Sequence, residues 1–201
     1  MLVYAIVVLG SYLLGSVSFA YVFGRVKGKD LSQLGSGNLG ARNVSRILGI
    51  TAGVIVGLLD FGKGFTAVYL ARRFVGTDAA GLIALFGVVT GHCYSVFLRF
   101  RGGKGLAAGA GGLLLVNWQV LLLCALVGAA VLLVTRKVYT AAVVLTLHLP
   151  FGILIAFQSV TLFFLALGTA CVVLSRHARD FPGVRERLYA YWGGACDTGE
   201  N

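Results

Sequence analysis

The sequence predicts an all-α integral membrane protein, folded as a compact bundle of seven transmembrane helices. Its 201 residues are 58% hydrophobic and only 12% charged, whereas a soluble domain carries about 25% charged residues. The apolar residues come in runs of about 20, the length that spans a bilayer. Short basic segments separate these runs. Together the three observations exclude an ordinary soluble domain, whose helices would need polar faces.

The apolar runs give the number of spans. They cover approximately residues 2–24, 48–70, 79–98, 106–135, 138–157 and 160–175. The fourth run is longer than the roughly 20 residues that cross a hydrocarbon core about 30 Å thick. We therefore expect it to break near Asn117–Trp118, which raises the count from six spans to seven.

The distribution of basic residues also favours seven spans, because Lys and Arg concentrate in cytoplasmic loops. With seven spans, the basic segments 25–47, 99–105 and 136–137 share one side of the membrane with the carboxyl-terminal tail. Only Arg72 and Arg73 then lie on the other side. This arrangement puts the amino terminus outside and the carboxyl terminus in the cytoplasm.

Residues 1–180 are expected to form one membrane domain, followed by an unassigned cytoplasmic tail at 181–201. The 29 glycines include pairs four residues apart, such as Gly87 and Gly91, that let helix backbones approach closely in lipid. The four cysteines and three histidines are scattered and show none of the spacings of a metal site. We predict no metal and no cofactor.

The first glycine-rich segment reads LGSGNLGARNVSR, residues 34–46. Glycine allows backbone N–H groups to converge into a nest that binds anions. Polar and basic side chains interleave with these glycines: Ser36, Asn38, Arg42, Asn43 and Arg46. The composition predicts a site for a phosphate or another oxyanion, and a flexible cytoplasmic loop is the plainer alternative.

The second glycine-rich segment reads RFRGGKG, residues 99–105. It is not a Walker A motif, because that motif requires Ser or Thr after its Lys and Gly105 stands there. A glycine turn followed by Lys104 and the start of a helix suits a phosphate, since free N–H groups at a helix N-terminus attract anions. His92 lies near the predicted cytoplasmic end of the third span. His177 lies at the predicted cytoplasmic end of the last span, beside both loops, where it could join such a site.

Three ionisable residues interrupt the apolar runs. Asp60 and Lys63 are three positions apart in the second run, and such an intramembrane pair is either functional or structural. We expect a structural ion pair in the outer half of the membrane, away from the basic loops. His148 is expected to be a core histidine bonded to a neighbouring carbonyl group.

The segments GSGNLGARNVSR, DFGKG, GHCYSVFLRFRGGKG and RHARD, in this order, resemble the bacterial acyl-phosphate:glycerol-3-phosphate acyltransferase family, the PlsY family. The resemblance extends from the first helix to about Asp180. It implies a seven-helix, multi-pass protein of the bacterial inner (plasma) membrane, with an active site facing the cytoplasm. It also implies transfer of an acyl group from acyl-phosphate to the sn-1 hydroxyl of glycerol-3-phosphate. That reaction gives lysophosphatidic acid and phosphate, and it is the first step of phospholipid synthesis.

The resemblance also implies a role for each loop. The donor phosphate would be held by Ser36, Gly37, Asn38, Gly40 and Asn43. The phosphate of glycerol-3-phosphate would be held by Arg46, Gly102, Gly103, Lys104, Gly105, His177 and Asp180. The candidate catalytic residues are Ser36, Arg46, Lys104 and His177.

Acyl-phosphate is already activated, so no covalent serine intermediate is required, and Ser36 is expected to bind the donor. The acceptor hydroxyl would attack directly while cationic groups stabilise the developing charge. Either a substrate phosphate or His177, as a general base, would take the proton.

Four positions depart from the usual pattern of the family. They are Arg42 in place of Thr, Ser95 in place of Pro, Arg101 in place of Lys and Asp180 in place of Asn. Asp180 matters most, because an ionised carboxylate only accepts hydrogen bonds and repels a phosphate.

Two other functions fit parts of the pattern. A non-catalytic or altered-specificity paralogue would keep the basic loops and bind anionic lipid headgroups. A small-anion transporter would need polar residues along a path through the membrane, whereas the polar residues here cluster on one side. The expected partners are acyl-phosphate, glycerol-3-phosphate and the lipid bilayer, with a functional link to an enzyme that makes acyl-phosphate; nucleic acid is not expected.

Overall fold

The computed structural model describes residues 1–178. In this part of the chain the fold is all-helical and contains no strand. The helices are α1 (Leu2–Ser16), α2 (Phe19–Val26), α3 (Ala41–Leu48), α4 (Ile50–Val75), α5 (Asp78–Cys93), α6 (Leu106–Val116), α7 (Trp118–Thr135), α8 (Val138–Phe157) and α9 (Val160–His177), with a short 3-10 helix at Val96–Leu98.

Six helical segments of the described range are long and apolar enough to cross a membrane. They are Leu2–Val26, Ile50–Val75, Asp78–Leu98, Trp118–Thr135, Val138–Phe157 and Val160–His177. Helix α6 is also apolar but has only 11 residues. The prediction of an all-helical integral membrane protein is therefore confirmed, whereas the count of seven spans stays a prediction.

The break predicted near Asn117–Trp118 is confirmed, since α6 ends at Val116 and α7 begins at Trp118. Asn117 has an extended backbone. Its side-chain oxygen accepts a hydrogen bond of 3.0 Å from the Val120 N–H, so it caps the start of α7. A local polar residue thus divides an apolar run that hydropathy alone leaves continuous.

The first span is bent between α1 and α2. Val17 is extended, and the Ser18 hydroxyl caps α2 by accepting a hydrogen bond of 3.3 Å from the Tyr21 N–H. The bend leaves carbonyl oxygens at the end of α1 without helical partners, which become relevant below. The sequence predicts a single span over residues 2–24 and gives no sign of this bend, because the apolar run itself carries no break.

The loops lie at two ends of the bundle. The basic end carries the segments 27–40 and 99–105, which precede α3 and α6. At the opposite end, α4 turns into α5 through Gly76, whose left-handed φ of 74° suits glycine. Each long helix runs between these ends.

Helix α6 reaches the opposite end as well. Arg72, in the last turn of α4, donates to the Leu115 carbonyl oxygen near the end of α6 and pairs with Asp78 at the start of α5. At about 1.5 Å per residue, α6 spans only about half of a bilayer core. Its first residue nevertheless follows the second glycine-rich loop at the basic end, and its last turn contacts Arg72 at the opposite end.

Glycines let α6 and α4 approach to backbone contact. A Cβ built at Gly64 would lie 1.9 Å from the Ala108 carbonyl oxygen, and one at Gly111 would lie 1.9 Å from the Phe61 carbonyl oxygen. Any larger residue at these two positions would separate the helices. The predicted close approach at Gly91 is also confirmed, because a Cβ there would lie 2.0 Å from a carbonyl oxygen of α1.

Helix α5 forms the centre of the bundle, with Leu82, Leu85, Val88 and Val89 fully buried. The outer faces of α7, α8 and α9 expose large apolar side chains, as expected of surfaces that face lipid. The core position predicted for His148 is wrong: its Nδ1 lies 2.8 Å from the Val144 carbonyl oxygen, as expected, but the side chain is exposed.

Candidate active site

A polar pocket of about 380 Å³ lies at the basic end. Its walls come from the first glycine-rich loop, α3, and the ends of α6, α8 and α9, and its floor comes from α4 and α5. The polar side chains that line it are Ser36, Asn38, Arg42, Asn43, Arg46, Asp60, His92, Lys104, Tyr139 and His177. The fold therefore brings both glycine-rich loops to one cavity.

The first loop is shaped by its own sequence. Gly35 and Gly37 have left-handed φ angles of 63° and 67°. A Cβ at Gly35 would lie 2.4 Å from Asn43 Oδ1, so glycine is required there both for conformation and for space. Ser36, between the two glycines, is exposed and lines the pocket.

Asn43 holds this loop from inside. Its Nδ2 donates to the carbonyl oxygens of Leu31 and Leu34 at 3.2 and 3.0 Å, and its Oδ1 accepts from the Ser36 N–H at 3.0 Å. The side chain is buried, at 2% exposure. Both amide hydrogens of Asn43 are therefore engaged within the protein. Asn43 shapes the loop predicted to bind the acyl-donor phosphate, and its amide group is not available to donate a hydrogen bond to that phosphate.

Helix α3 presents two positive charges to the pocket. Arg42 and Arg46 are one turn apart, both exposed, and both line the cavity. The helix begins after Gly40, which also lines the cavity. The N-terminus of α3 and its two guanidinium groups give this wall a positive potential suited to phosphate.

The glycine turn of the second loop, residues 102–105, is mostly buried and is held by residues distant in sequence. The Gly103 N–H donates to the His92 carbonyl oxygen at 3.0 Å. Arg176, on α9, donates to the Gly102 and Gly103 carbonyl oxygens at 2.6 and 3.2 Å. These bonds turn the backbone so that Lys104, which is half-buried, lines the pocket.

Gly105 starts α6 beside the pocket. Its φ of 84° is left-handed, a conformation that side chains rarely adopt. A Cβ there would also press on Cys93 and Val89, both at 3.0 Å. The free N–H groups of the first turn of α6 follow directly after Lys104, as the sequence predicted.

Asp60 and His92 form the floor of the pocket. Asp60 Oδ1 lies 3.4 Å from His92 Nδ1 and 3.0 Å from Lys63 Nζ. The predicted position of Asp60, away from the basic loops, is wrong. Asp60 is ten residues into α4, about 15 Å from the helix start, and the pocket reaches down to that depth.

Lys63 has the structural contacts expected of it. Its ammonium group donates to the carbonyl oxygens of Gly15 and Val17 at 2.9 and 2.7 Å. These are carbonyl groups at the bend between α1 and α2. Lys63 therefore stabilises that bend while it neutralises Asp60.

His177 approaches the pocket from the end of α9 and is buried, at 2% exposure. Its Nδ1 lies 2.9 Å from the Val173 carbonyl oxygen. Because a carbonyl can only accept, Nδ1 carries the hydrogen. In the neutral ring Nε2 is then the basic nitrogen.

An apolar cavity of about 250 Å³ adjoins the polar pocket. It lies among α5, α6, α7, α8 and α9, and Gly105 and Leu106 line both spaces. Its other walls include Leu113, Leu121 and Leu149. A polar pocket lined by cationic side chains and an apolar cavity thus meet at the start of α6.

The structure brings most of the predicted site residues together. The pocket is lined by Ser36, Asn38, Gly40, Asn43, Arg46, Lys104, Gly105 and His177. Gly37, Gly102 and Gly103 shape the loops behind the lining. Asp180, like Arg179 and the tail, lies outside the described residues.

Sequence reasoning missed the contributions of Asp60, His92, Tyr139 and Arg176. Charge inside an apolar run was a usable signal for Asp60, but its depth in the pocket depends on how α4 packs. Nothing in the chain order indicates that Tyr139, at the start of α8, faces the glycine-rich loops.

Comparisons with known proteins agree on one family. The family model described as glycerol-3-phosphate acyltransferase matches residues 5–186. A glycerol-3-phosphate acyltransferase of Aquifex aeolicus is 38% identical over 175 residues, covering 86% of this chain and 91% of the relative. Another, from Desulforamulus reducens, is 41% identical over 145 residues, covering 72% of each chain.

Two crystal structures have the same fold. One is of PlsY (YgiH), an integral membrane glycerol 3-phosphate acyltransferase, in its glycerol 3-phosphate form. It is 35% identical, with a TM-score of 0.79, and the match covers 95% of this chain and 92% of that one. The lysophosphatidic acid form of PlsY matches with 34% identity and a TM-score of 0.77 over the same shares of the two chains.

Proposed function

The chain belongs to the glycerol-3-phosphate acyltransferase family, and from this premise we propose that it transfers an acyl group from acyl-phosphate to the sn-1 hydroxyl of glycerol-3-phosphate. The products are lysophosphatidic acid and inorganic phosphate. The observation that carries the proposal is the junction of the polar pocket and the apolar cavity at Gly105 and Leu106. A donor with a phosphate head and an acyl tail fits across that junction.

The charges of the polar pocket suit two phosphate-bearing substrates. Arg42 and Arg46 on α3 and Lys104 on the second loop line one cavity. Converging cations in a partly buried site attract anions and bind phosphate strongly. We assign the donor phosphate to Ser36, Asn38 and Gly40, and the acceptor phosphate to Arg46, Lys104 and His177.

The apolar cavity supplies the place for the acyl chain. Leu85, Leu113 and Leu149 line its walls. The hydroxyl groups of Thr146 and Thr169, which also line the cavity, donate hydrogen bonds to carbonyl oxygens of their own helices at 2.6 and 3.1 Å. They therefore add little polarity to the cavity wall. Burial of acyl methylene groups there stabilises the complex by about 0.8 kcal/mol for each group.

The reaction is proposed as a direct transfer. The acceptor hydroxyl oxygen attacks the acyl carbonyl carbon, the bond from that carbon to the phosphate oxygen breaks, and phosphate leaves. Lys104 and Arg46 stabilise the developing negative charge. The hydroxyl proton passes to a substrate phosphate, or to Nε2 of His177 in the competing version.

The same arrangement supports seven crossings and a cytoplasmic active site. The amino terminus lies at the end opposite the pocket, since the Tyr4 hydroxyl is 3.4 Å from Thr77 Oγ1 in the turn between α4 and α5. The last described helix ends at the pocket. Among the basic residues, Arg72 and Arg73 belong to the opposite end, which by the positive-inside rule is the outer side. We therefore propose a bacterial inner-membrane protein whose pocket faces the cytoplasm.

The test measures phosphate release from the purified protein in lipid or detergent. Acyl-phosphate is supplied with and without glycerol-3-phosphate, and Lys104→Ala is the comparison. We expect acceptor-dependent release that falls at least hundredfold in the variant, because a donor of charge-assisted hydrogen bonds is lost at the site of developing charge. Activity with an acyl thioester and not with acyl-phosphate would contradict the proposed donor.

The remaining alternatives have their own outcomes in this experiment. Absence of turnover in folded protein that still binds glycerol-3-phosphate would favour the non-catalytic paralogue, and Asp180→Asn would then test the departure from the family pattern. Uptake of glycerol-3-phosphate into vesicles containing the protein, without any acyl transfer, would favour the transporter.

A further inference from the structure

We propose that Asp60 is a positioning residue for the acceptor site: it orients His92, whose ring and carbonyl group hold Gly103 and so place Lys104 in the pocket. This inference rests on the proposed function, in which Lys104 binds the phosphate of glycerol-3-phosphate. Asp60 lies on the floor of a pocket proposed to bind phosphate, where a negative charge does not favour the substrate, so its presence there calls for another role.

His92 contacts the second loop twice. Its carbonyl oxygen accepts from the Gly103 N–H at 3.0 Å. Its ring lies so near the same glycine that a methyl group built on Gly103 would come within 2.0 Å of Nε2. The position of Gly103 is therefore set by the orientation of the His92 ring as well as by its backbone, and Lys104 is the next residue.

Asp60 fixes that orientation. Its Oδ1 lies 3.4 Å from His92 Nδ1, on the side of the ring away from Gly103. Rotation of the ring would break this contact and move the edge that packs on Gly103. Both side chains are buried, at 2% and 7% exposure, so water cannot easily replace the contact.

Asp60 is itself held in place. Lys63 Nζ lies 3.0 Å from the same carboxylate oxygen and is anchored by the Gly15 and Val17 carbonyl oxygens. A carboxylate that is paired in this way is less able to turn toward Lys104 and compete with a phosphate. The floor of the pocket is thus tied to the bend between α1 and α2.

The opposite side of the loop is held independently. Arg176 binds the Gly102 and Gly103 carbonyl oxygens, so loss of Asp60 leaves part of the loop's support intact. We therefore expect a displaced Lys104 in a folded protein, and not a collapsed bundle.

The test compares kinetic constants of full-length variants in detergent or lipid. Asp60→Asn is expected to raise the KM for glycerol-3-phosphate at least tenfold, with the KM for acyl-phosphate within threefold of the wild-type value. Because Asp60→Asn leaves Lys63 as an unpaired buried charge, the double variant Asp60→Asn, Lys63→Met is measured as well. It is expected to show the same acceptor defect with a thermal unfolding midpoint nearer to that of the wild type.

His92→Asn tests whether the effect passes through His92. The Asn amide can still reach Asp60 but has no ring edge to pack on Gly103. We expect an acceptor defect similar to that of Asp60→Asn, and a combined variant no worse than either, because residues that act as one unit are not additive. Asp78→Asn is the matched control, since it breaks the ion pair with Arg72 between the same two helices at the opposite end.

Three results would overturn the inference. The first is a normal KM for glycerol-3-phosphate in the Asp60→Asn, Lys63→Met double variant. The second is an equal change in the KM values of both substrates in that variant, together with a lowered unfolding midpoint. The third is that the effects of Asp60→Asn and His92→Asn add independently. Wild-type turnover with acyl-phosphate is measured in the same series. Its absence would remove the proposed function, whereas wild-type turnover with a normal double variant would remove this inference alone.

Discussion

The two glycine-rich loops form one pocket but are held by different means. Loop 34–40 is mostly exposed, and its shape is set by Asn43, only seven residues beyond Ser36. Loop 102–105 is mostly buried, and its shape is set by His92 and by Arg176, which is more than 70 residues away. The first loop folds on itself, while the second takes its form from the bundle.

Substitutions in the two loops should therefore have different consequences. A change in the first loop should act on the substrate that this loop binds and leave the helices alone. A change in the second should act on helix packing and on the acceptor site together, since its supports belong to α5 and α9.

The largest effect is expected from Gly103→Ala, which breaks the buried loop. The added methyl group has no space, because His92 Nε2 would lie 2.0 Å from it, and overpacking of this kind costs about 1–3 kcal/mol. We expect at least a hundredfold loss of acyl transfer together with a lower thermal unfolding midpoint. Gly62→Ala is the control, since a Cβ at that position would lie more than 4 Å from every atom other than its chain neighbours and the nearby backbone of its own helix. An equal loss there would contradict the argument from space.

A smaller and more selective effect is expected from Asn43→Ala, which breaks the exposed loop. The substitution removes three hydrogen bonds, each worth about 0.5–1.5 kcal/mol. We expect the KM for acyl-phosphate to rise about tenfold, with the KM for glycerol-3-phosphate changed less. Steady-state kinetics with each substrate varied in turn measure this split, and a defect confined to glycerol-3-phosphate would reverse the assignment of the loops.

The smallest effect is expected from Asp30→Asn, just before the first loop. Hydrogen bonds from the Ser32 hydroxyl and N–H hold the pKa of this carboxyl below its usual range. A carboxylate with a lowered folded-state pKa stabilises the fold at neutral pH, and the contribution is lost as the pH falls through that pKa. Because Asp30 is fully exposed, only a slight difference in unfolding midpoint is expected at pH 7.

The pH series sharpens this last prediction. The difference between Asp30→Asn and the wild type should shrink as the pH falls below about 4, the usual pKa of an aspartate, and through the lowered pKa of Asp30 in the folded protein. A difference that is constant across this range would mean that the carboxylate charge is not what stabilises the turn.

Much of the architecture could be predicted because its causes are local. Run length and hydropathy indicate the long apolar helices, and Asn117 breaks the fourth run by capping α7 with its own side chain. The two loops could be chosen as anion sites because glycine and basic residues are concentrated in them. Their assignment to donor and acceptor stays a prediction.

The misplacement of Asp60 has a different cause. Its charge within an apolar run could be read from the sequence, but its neighbours could not. They depend on the rotation of α4 and on the close approach of α4 and α6 at Gly64 and Gly111. Asn43 is a similar case, since a side chain that looks like an anion ligand is used to fold its own loop.

The helical membrane class, the break at Asn117 and the two glycine-rich basic loops can be read from the chain alone, because hydrophobicity, glycine content and charge act over a few neighbouring residues. Three features depend on the packing of the helices: which side chains share the pocket, how His92 and Arg176 hold the second loop, and where the apolar cavity joins the pocket. Those features follow from the rotation and crossing of the helices. Glycine contacts between distant segments set this geometry, so no local sequence pattern predicts it.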